Sequence, residues 1–119
     1  MTTISQNTTN NLIFYVTSSL ANPYYLVRLV SKITGNEFAF ILTDSSGTCD
    51  FISCQFIEVG YLGVDDAVNG EMALDSGSYK LYLYDQSSSS NLDYTSANEL
   101  LLEDDCNVIS DNNNSRIFK

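Results

Sequence analysis

The sequence predicts an all-β chain folded as one antiparallel β-sandwich of immunoglobulin-like or jelly-roll type, with six to seven strands. Two observations carry that expectation. Short runs rich in β-branched and aromatic residues recur along the 119 residues with turn chemistry between them, and the chain holds a single proline. Apolar residues make up 44% of the chain, enough for one core despite the abundance of Ser, Asn, Thr and Asp. A domain of this size buries roughly two-thirds of its unfolded surface.

The runs are read in chain order. Residues 1–11 are polar and read as an N-terminal arm, followed by a single domain over 12–109 and a polar tail over 110–119. Leu12 to Thr17 forms the first expected strand, closed by the Ala21-Asn22-Pro23 step, where proline removes a donor and restricts the preceding residue. From Tyr24 to Ile33, Tyr25, Val27 and Leu29 share one face of an extended chain, and Leu26, Arg28 and Val30 the other. Phe38, Phe40 and Leu42 alternate with Ala39, Ile41 and Thr43, both sets largely apolar, as in a strand covered on each side near the centre of the domain. Asp44-Ser45-Ser46-Gly47 breaks it. Further strands are expected at Phe51 to Val59, weakly at Glu71 to Leu74, and most clearly at Tyr79 to Tyr84, where Lys80, Tyr82 and Tyr84 oppose Tyr79, Leu81 and Leu83. Ser87 to Ser90 reads as a connector. The segment from Leu100 to Ile109 reads as a last strand in preference to a short helix over Ser96 to Leu102. The absence of tryptophan argues against an immunoglobulin domain proper, whose core pairs a Trp with two cysteines.

Composition narrows function by exclusion. Fifteen acidic residues against five basic ones give a net charge of −10, and the cations Arg28, Lys32, Lys80, Arg116 and Lys119 form no basic patch. Direct nucleic-acid binding is disfavoured on that ground. Apolar stretches such as Phe38 to Leu42 fall far short of a membrane span, and the N-terminus lacks the pattern of a secretory signal. With no histidine, the chain cannot by itself assemble Ser-His-Asp or Cys-His catalysis. Cys49, Cys54 and Cys106 fit no zinc framework and read as free thiols, since Cys49 and Cys54 would point to opposite faces of one strand.

What chemistry survives is weak. Asp44, Asp50, Glu58, Asp85, Asp93 and Glu103 are the carboxylates from which a glycosidase-like pair would be drawn, but a domain this small seldom forms the cleft, and surface acids are the expected reading. Asp65-Asp66 and Glu103-Asp104-Asp105 are dense in oxygen without the spacing of a calcium loop. Asn7-Thr8-Thr9 and Asn113-Asn114-Ser115 match the glycosylation tripeptide, read as chance in an Asn/Ser-rich chain. No catalytic residue, metal site or cofactor is expected. Tyr82 and Tyr84 offer stacking platforms to a carbohydrate or other ligand. At the C-terminus, Arg116, Ile117 and Phe118 follow a polar stretch and read first as a strand end or frayed terminus, with an anchor that docks on an acidic neighbour subunit as the functional alternative.

One stretch carries a family likeness. Gly77-Ser78-Tyr79-Lys80-Leu81-Tyr82-Leu83-Tyr84-Asp85-Gln86, the serine loop, Asn91-Leu92-Asp93 and Leu102-Glu103 together resemble a pattern in small virion proteins of tailed bacteriophages infecting Bacteroidota, including crAss-like phages. Tyr24-Tyr25-Leu26 and Asn36-Glu37 are similar to that family's early strand and turn, although Asp85 stands where Glu is usual and Asp104-Asp105 replaces a glycine. The resemblance implies a non-enzymatic structural component of a phage particle, present in many copies against other virion proteins such as the major capsid protein. An auxiliary or decoration protein on the outer capsid surface, made in the host cytoplasm, is the expected form, with a neck or tail component or a soluble ligand-binding β-domain as alternatives. The acidity favours the outside of a DNA-filled head.

Overall fold

The computed structural model describes residues 1–46 and 50–110. Among the described residues eight strands form two packed sheets, against the six to seven expected: β1 Thr2–Ser5, β2 Thr8–Phe14, β3 Tyr24–Ser31, β4 Glu37–Leu42, β5 Ile52–Glu58, β6 Glu71–Met72, β7 Gly77–Gln86 and β8 Glu99–Ile109. Two single-turn 3-10 helices, Ala67–Asn69 and Tyr94–Ser96, interrupt the connections. One sheet runs β1-β8-β7-β3-β4 and the other β2-β5-β6. The pairings are antiparallel except for β1 with β8 and β5 with β6.

This order is immunoglobulin-like. The sheet β8-β7-β3-β4 corresponds to the G-F-C-C′ strands of a variable-type sandwich, and β2 pairs with β5 as B pairs with E. A further hallmark sits at the start of β7, where the Tyr79 hydroxyl donates to the Asp75 carbonyl at 2.7 Å, the tyrosine corner of such folds. Gly77, at φ 139°, lets the chain turn there as an L side chain rarely could. Leu81 follows Tyr79 by two residues, where antibody domains carry a cysteine, so apolar packing replaces a cross-link at this point.

The alternation read from sequence matches the faces. Tyr25, Val27 and Leu29 from β3, Phe40 and Leu42 from β4, and Tyr79, Leu81 and Leu83 from β7 meet Leu12, Phe14, Ile52, Cys54 and Phe56 of the smaller sheet. Phe40 stacks on Phe56 across the gap, ring centroids 4.2 Å apart. The opposite faces of β3, β4 and β7 carry a second cluster of Leu26, Ile41 and Tyr84, covered in part by Ala97. β4 is therefore apolar on both faces, as its sequence suggested, yet it is an edge strand of its sheet and not a central one.

The N-terminal segment departs from its reading as an arm. Residues 2–5 form β1 against the last strand, and Thr8–Asn11 open β2, which starts earlier and ends earlier than the apolar run Leu12 to Thr17 implied. Ile4 alone fills the core from β1 and is fully buried. The polar side chains contribute order: Asn10 accepts from the Ser5 amide at 2.8 Å and donates to the Ser5 carbonyl at 3.0 Å, bracing the turn. At that turn Asn7 takes φ 61°, a conformation that asparagine tolerates better than most residues.

Glu58 ties together the end of the sandwich where this turn lies. In the inward phase of β5, after Ile52, Cys54 and Phe56, it is 1% exposed. Its Oε1 accepts from the amides of Asn7 at 2.7 Å and Gly60 at 2.8 Å, and its Oε2 from the Leu74 amide at 2.6 Å. One carboxylate thus fastens three separate connections. Replacing it leaves three amides without their acceptor, and hydrogen bonds to a charged group are each worth about 1.5–3 kcal/mol. Glu58→Ala is expected to destabilise the fold by about 3 kcal/mol or more, with Glu58→Gln intermediate, read as urea midpoints at constant slope.

Candidate functional site

Two surfaces combine exposed side chains with concavity. The first lies on the outer face of the five-stranded sheet, where the β7–β8 loop folds back over β3 and β4. Asp93 caps the short helix of that loop, its Oδ1 accepting from the Thr95 amide at 3.0 Å and the Thr95 hydroxyl at 2.7 Å. These bonds hold the Asp93 carboxyl below the usual aspartate range. Tyr94 is thereby placed over Arg28, whose guanidinium carbon lies 4.2 Å from the Tyr94 ring centre and 5.1 Å from that of Tyr82. Arg28 Nε also donates to Glu37 at 2.6 Å, and that bond raises the guanidinium pKa further. A cavity of about 220 Å³ opens beside this clamp, lined by Arg28, Glu37, Phe38, Ala39, Leu92 and Tyr94.

The loop behind the clamp is held by the residues of the sequence motif. Gln86, 2% exposed, donates through Nε2 to the carbonyls of Ser88 at 3.2 Å and Asn91 at 2.9 Å, and accepts from Asn91 Nδ2 at 2.8 Å. The Asp85 carboxylate, fully buried, accepts from the Ser18 hydroxyl and from Asn98 Nδ2 at 3.1 Å. Asp85 therefore joins the β2–β3 loop to the β7–β8 loop.

The second surface is a groove of about 320 Å³ at the Glu58 end, bordered by Asn7, Gly60, Tyr61, Leu62, Leu74 and Asp75. Tyr61 and Leu62 are 90% and 84% exposed, and Val64 beside them 83%. Gly60 stands at φ 73°, and a Cβ there would come within 3.0 Å of Asn7 Oδ1, so the groove wall is built on a backbone that favours glycine.

Most of the carboxylates singled out by sequence serve the scaffold. Asp44 Oδ1 accepts from the amides of Ser46 and Ser53, each at 2.9 Å; burial pushes its carboxyl up, and these bonds outweigh that, leaving it below the usual range. Glu58, Asp85 and Asp93 are engaged as described. Asp65 accepts from the Ala73 amide at 2.9 Å and Asp66 from Asn69 at 2.8 Å. Asp104 accepts from the Thr2 hydroxyl at 3.2 Å, and Asp105 pairs with Lys32 at 2.8 Å and Lys80 at 3.8 Å. Among the described residues no three acids or thiols are grouped to hold a metal ion. Tyr84 is 8% exposed, packed 5.7 Å from the Tyr94 ring, and the Tyr82 face is taken by Arg28, so neither ring is a free platform. Arg116, Ile117 and Phe118 lie outside the described residues, as does Cys49.

The clamp and the groove were both missed by sequence reasoning. An acid in the inward phase of β5 was the signal for Glu58, and the apolar Tyr61-Leu62-Gly63-Val64 inside a turn-rich segment was the signal for the groove wall.

Fold and surfaces together define a class: an immunoglobulin-like β-sandwich whose buried acids brace loops. No protein-family model, curated protein or solved structure matches the chain. No helix among the described residues is long and apolar enough to cross a membrane.

Cys54 and Cys106 are free, buried thiols, and burial pushes each up to about 12 from 9.0. Burial likewise raises Tyr25, Tyr79 and Tyr84 above 10.0. Groups that hold their protons more tightly in the fold contribute stability that is full below the unfolded values and lost as pH rises through the folded ones. Stability to urea is therefore expected to hold between pH 7 and about 9 and to fall progressively toward pH 12. In the clamp, Arg28→Met and Tyr94→Leu are each expected to cost about 1 kcal/mol, with a coupling of about 0.5–1 kcal/mol in a double-mutant cycle.

Proposed function

We propose that this chain is a non-catalytic structural module of a bacteriophage particle, an auxiliary protein carried in many copies on the outer capsid surface. One observation supports the reading above the others. In the stretch that resembles phage virion proteins, Gln86, Asn91 and Asp93, together with Asp85 in place of the usual Glu, spend their polar atoms on one another and on neighbouring loops. Asn91 Nδ2 also donates to the Asp93 carbonyl at 2.8 Å. A motif engaged in such bonds builds a fixed loop; it does not supply an acid, base or nucleophile.

The surface chemistry is compatible with that role. A net charge of −10 keeps many copies soluble before assembly and disfavours contact with packaged DNA. Partners in the particle, the major capsid protein first among them, would meet the chain through its loop ends and exposed apolar tip.

Quantitative mass spectrometry of purified particles tests this reading. Hundreds of copies per particle, removed by protease before the shell is breached, are the expected result. A few copies would place the chain at a neck or tail, and absence from the particle would overturn the structural role altogether.

A further inference from the structure

The five-stranded sheet ends on β4, and the direction of that strand's backbone groups follows from the register. The Ser31 amide donates to the Asn36 carbonyl at 2.8 Å, which makes them a hydrogen-bonded pair, and the register continues as Leu29 with Phe38 and Val27 with Phe40. Bonded and non-bonded pairs alternate in an antiparallel ladder. On the other side of β3 the Lys32 amide donates to the Ser78 carbonyl at 3.0 Å, so the even-numbered residues of β3 bond to β7 and the odd-numbered ones to β4. Phe38 and Phe40 therefore bond to β3, while Glu37, Ala39 and Ile41 aim their N–H and C=O groups away from the sheet.

Part of this edge is open. Gly70 comes so near Ile41 that a Cβ on it would stand 3.1 Å from the Ile41 carbonyl oxygen, so that end is covered. Among the described residues no hydrogen bond engages the outward groups of Glu37 and Ala39. Sheet edges are ordinarily guarded by lysine, proline or a bulge, and Glu37–Leu42 has none of these.

The side chains along the open part are self-complementary. A two-fold axis at Phe38 sets Glu37 opposite the second copy's Ala39 and Ala39 opposite the second copy's Glu37, each pair exchanging both backbone bonds. Arg28 is the register partner of Ala39 in β3, so on the outer face Arg28, Ala39 and the second copy's Glu37 fall in one row. Ala39 is short enough for guanidinium and carboxylate to meet across it, and opposite charges on one face favour a pairing. The cavity beside the clamp, walled by Arg28, Ala39, Leu92 and Tyr94, receives that carboxylate. On the inner face the two half-buried Phe38 rings meet at the axis. Although the chain carries −10 overall, this stretch is balanced, with Arg28 against Glu37 in each copy.

We propose that the open part of β4 is a self-association edge. Two copies pair antiparallel through Glu37 to Ala39, join their five-stranded sheets into one, and each lends its Glu37 to the other's Arg28. A contact this small belongs with the weak, reversible interfaces. The proposal rests on the sheet register and stands independently of the phage reading.

Sedimentation equilibrium and amide NMR of the full chain, followed up to about 1 mM, provide the test. The expected result is a monomer–dimer equilibrium, with shifts at the Glu37 and Ala39 amides that grow with concentration. Glu37→Lys is expected to weaken association about tenfold, because the change counts twice across the axis and sets like charges side by side, even though it lowers the net repulsion. Ala39→Pro removes an outward N–H and is expected to abolish the dimer while the Val27 and Leu29 amides, bonded to β4, stay protected from exchange. A chain that stays monomeric up to that concentration would overturn the proposal. So would a dimer that Glu37→Lys leaves unchanged, or one whose shifts centre on Tyr61 and Leu62.

Discussion

A single buried carboxylate sets the geometry of one end of this protein. Glu58 occupies a position in β5 that alternation reserves for the core, and the only way to keep a charge there is to surround it with donors. The three amides that do so belong to the β1–β2 turn, the stretch after β5 and the stretch before β7. Each is a segment with few apolar anchors of its own. Hydrogen bonds to Glu58 add to the packing of Leu74 and fix the other two segments, and the three segments that border the groove converge on this one side chain.

The opposite end follows the same logic with different atoms. Asp85 and Gln86 close β7 in positions that are fully or almost fully buried, and their side chains organise the loops on either side. The β7–β8 loop then covers the outer face of its own sheet, setting Tyr94 over Arg28. Acidity in this chain is accordingly of two kinds. Some carboxylates are internal fasteners of backbone and amide groups, while others, such as Asp105 beside Lys32 and Lys80, lie in water where an ion pair contributes little.

The sandwich was legible because its strands obey a period of two over long enough runs. Tyr25, Val27 and Leu29, or Tyr79, Leu81 and Leu83, could be assigned to a face before any coordinates. β1 and the start of β2 were not legible. Thr, Asn and Gln give no apolar alternation, and those residues are extended because the backbones of β8 and β5 pair with them, a cause distant in sequence. The carboxylates were visible as residues but not as partners, since their donors lie up to 102 positions away, as Thr2 does from Asp104. Tyr82 and Tyr84 read as free rings for a related reason: Arg28 and Tyr94 reach them only once β3 and the β7–β8 loop are folded against β7.

The pairing of β1 with β8 has a consequence for how the protein comes into being. The first described strand, Thr2–Ser5, has as its sheet partner the last described one, Glu99–Ile109, so the loop that must close spans more than ninety residues. Ile4 cannot enter the core until residue 109 has been made, and contacts of such separation slow folding. The edge that β1 completes is thus closed by the contact of longest sequence separation in the sheet.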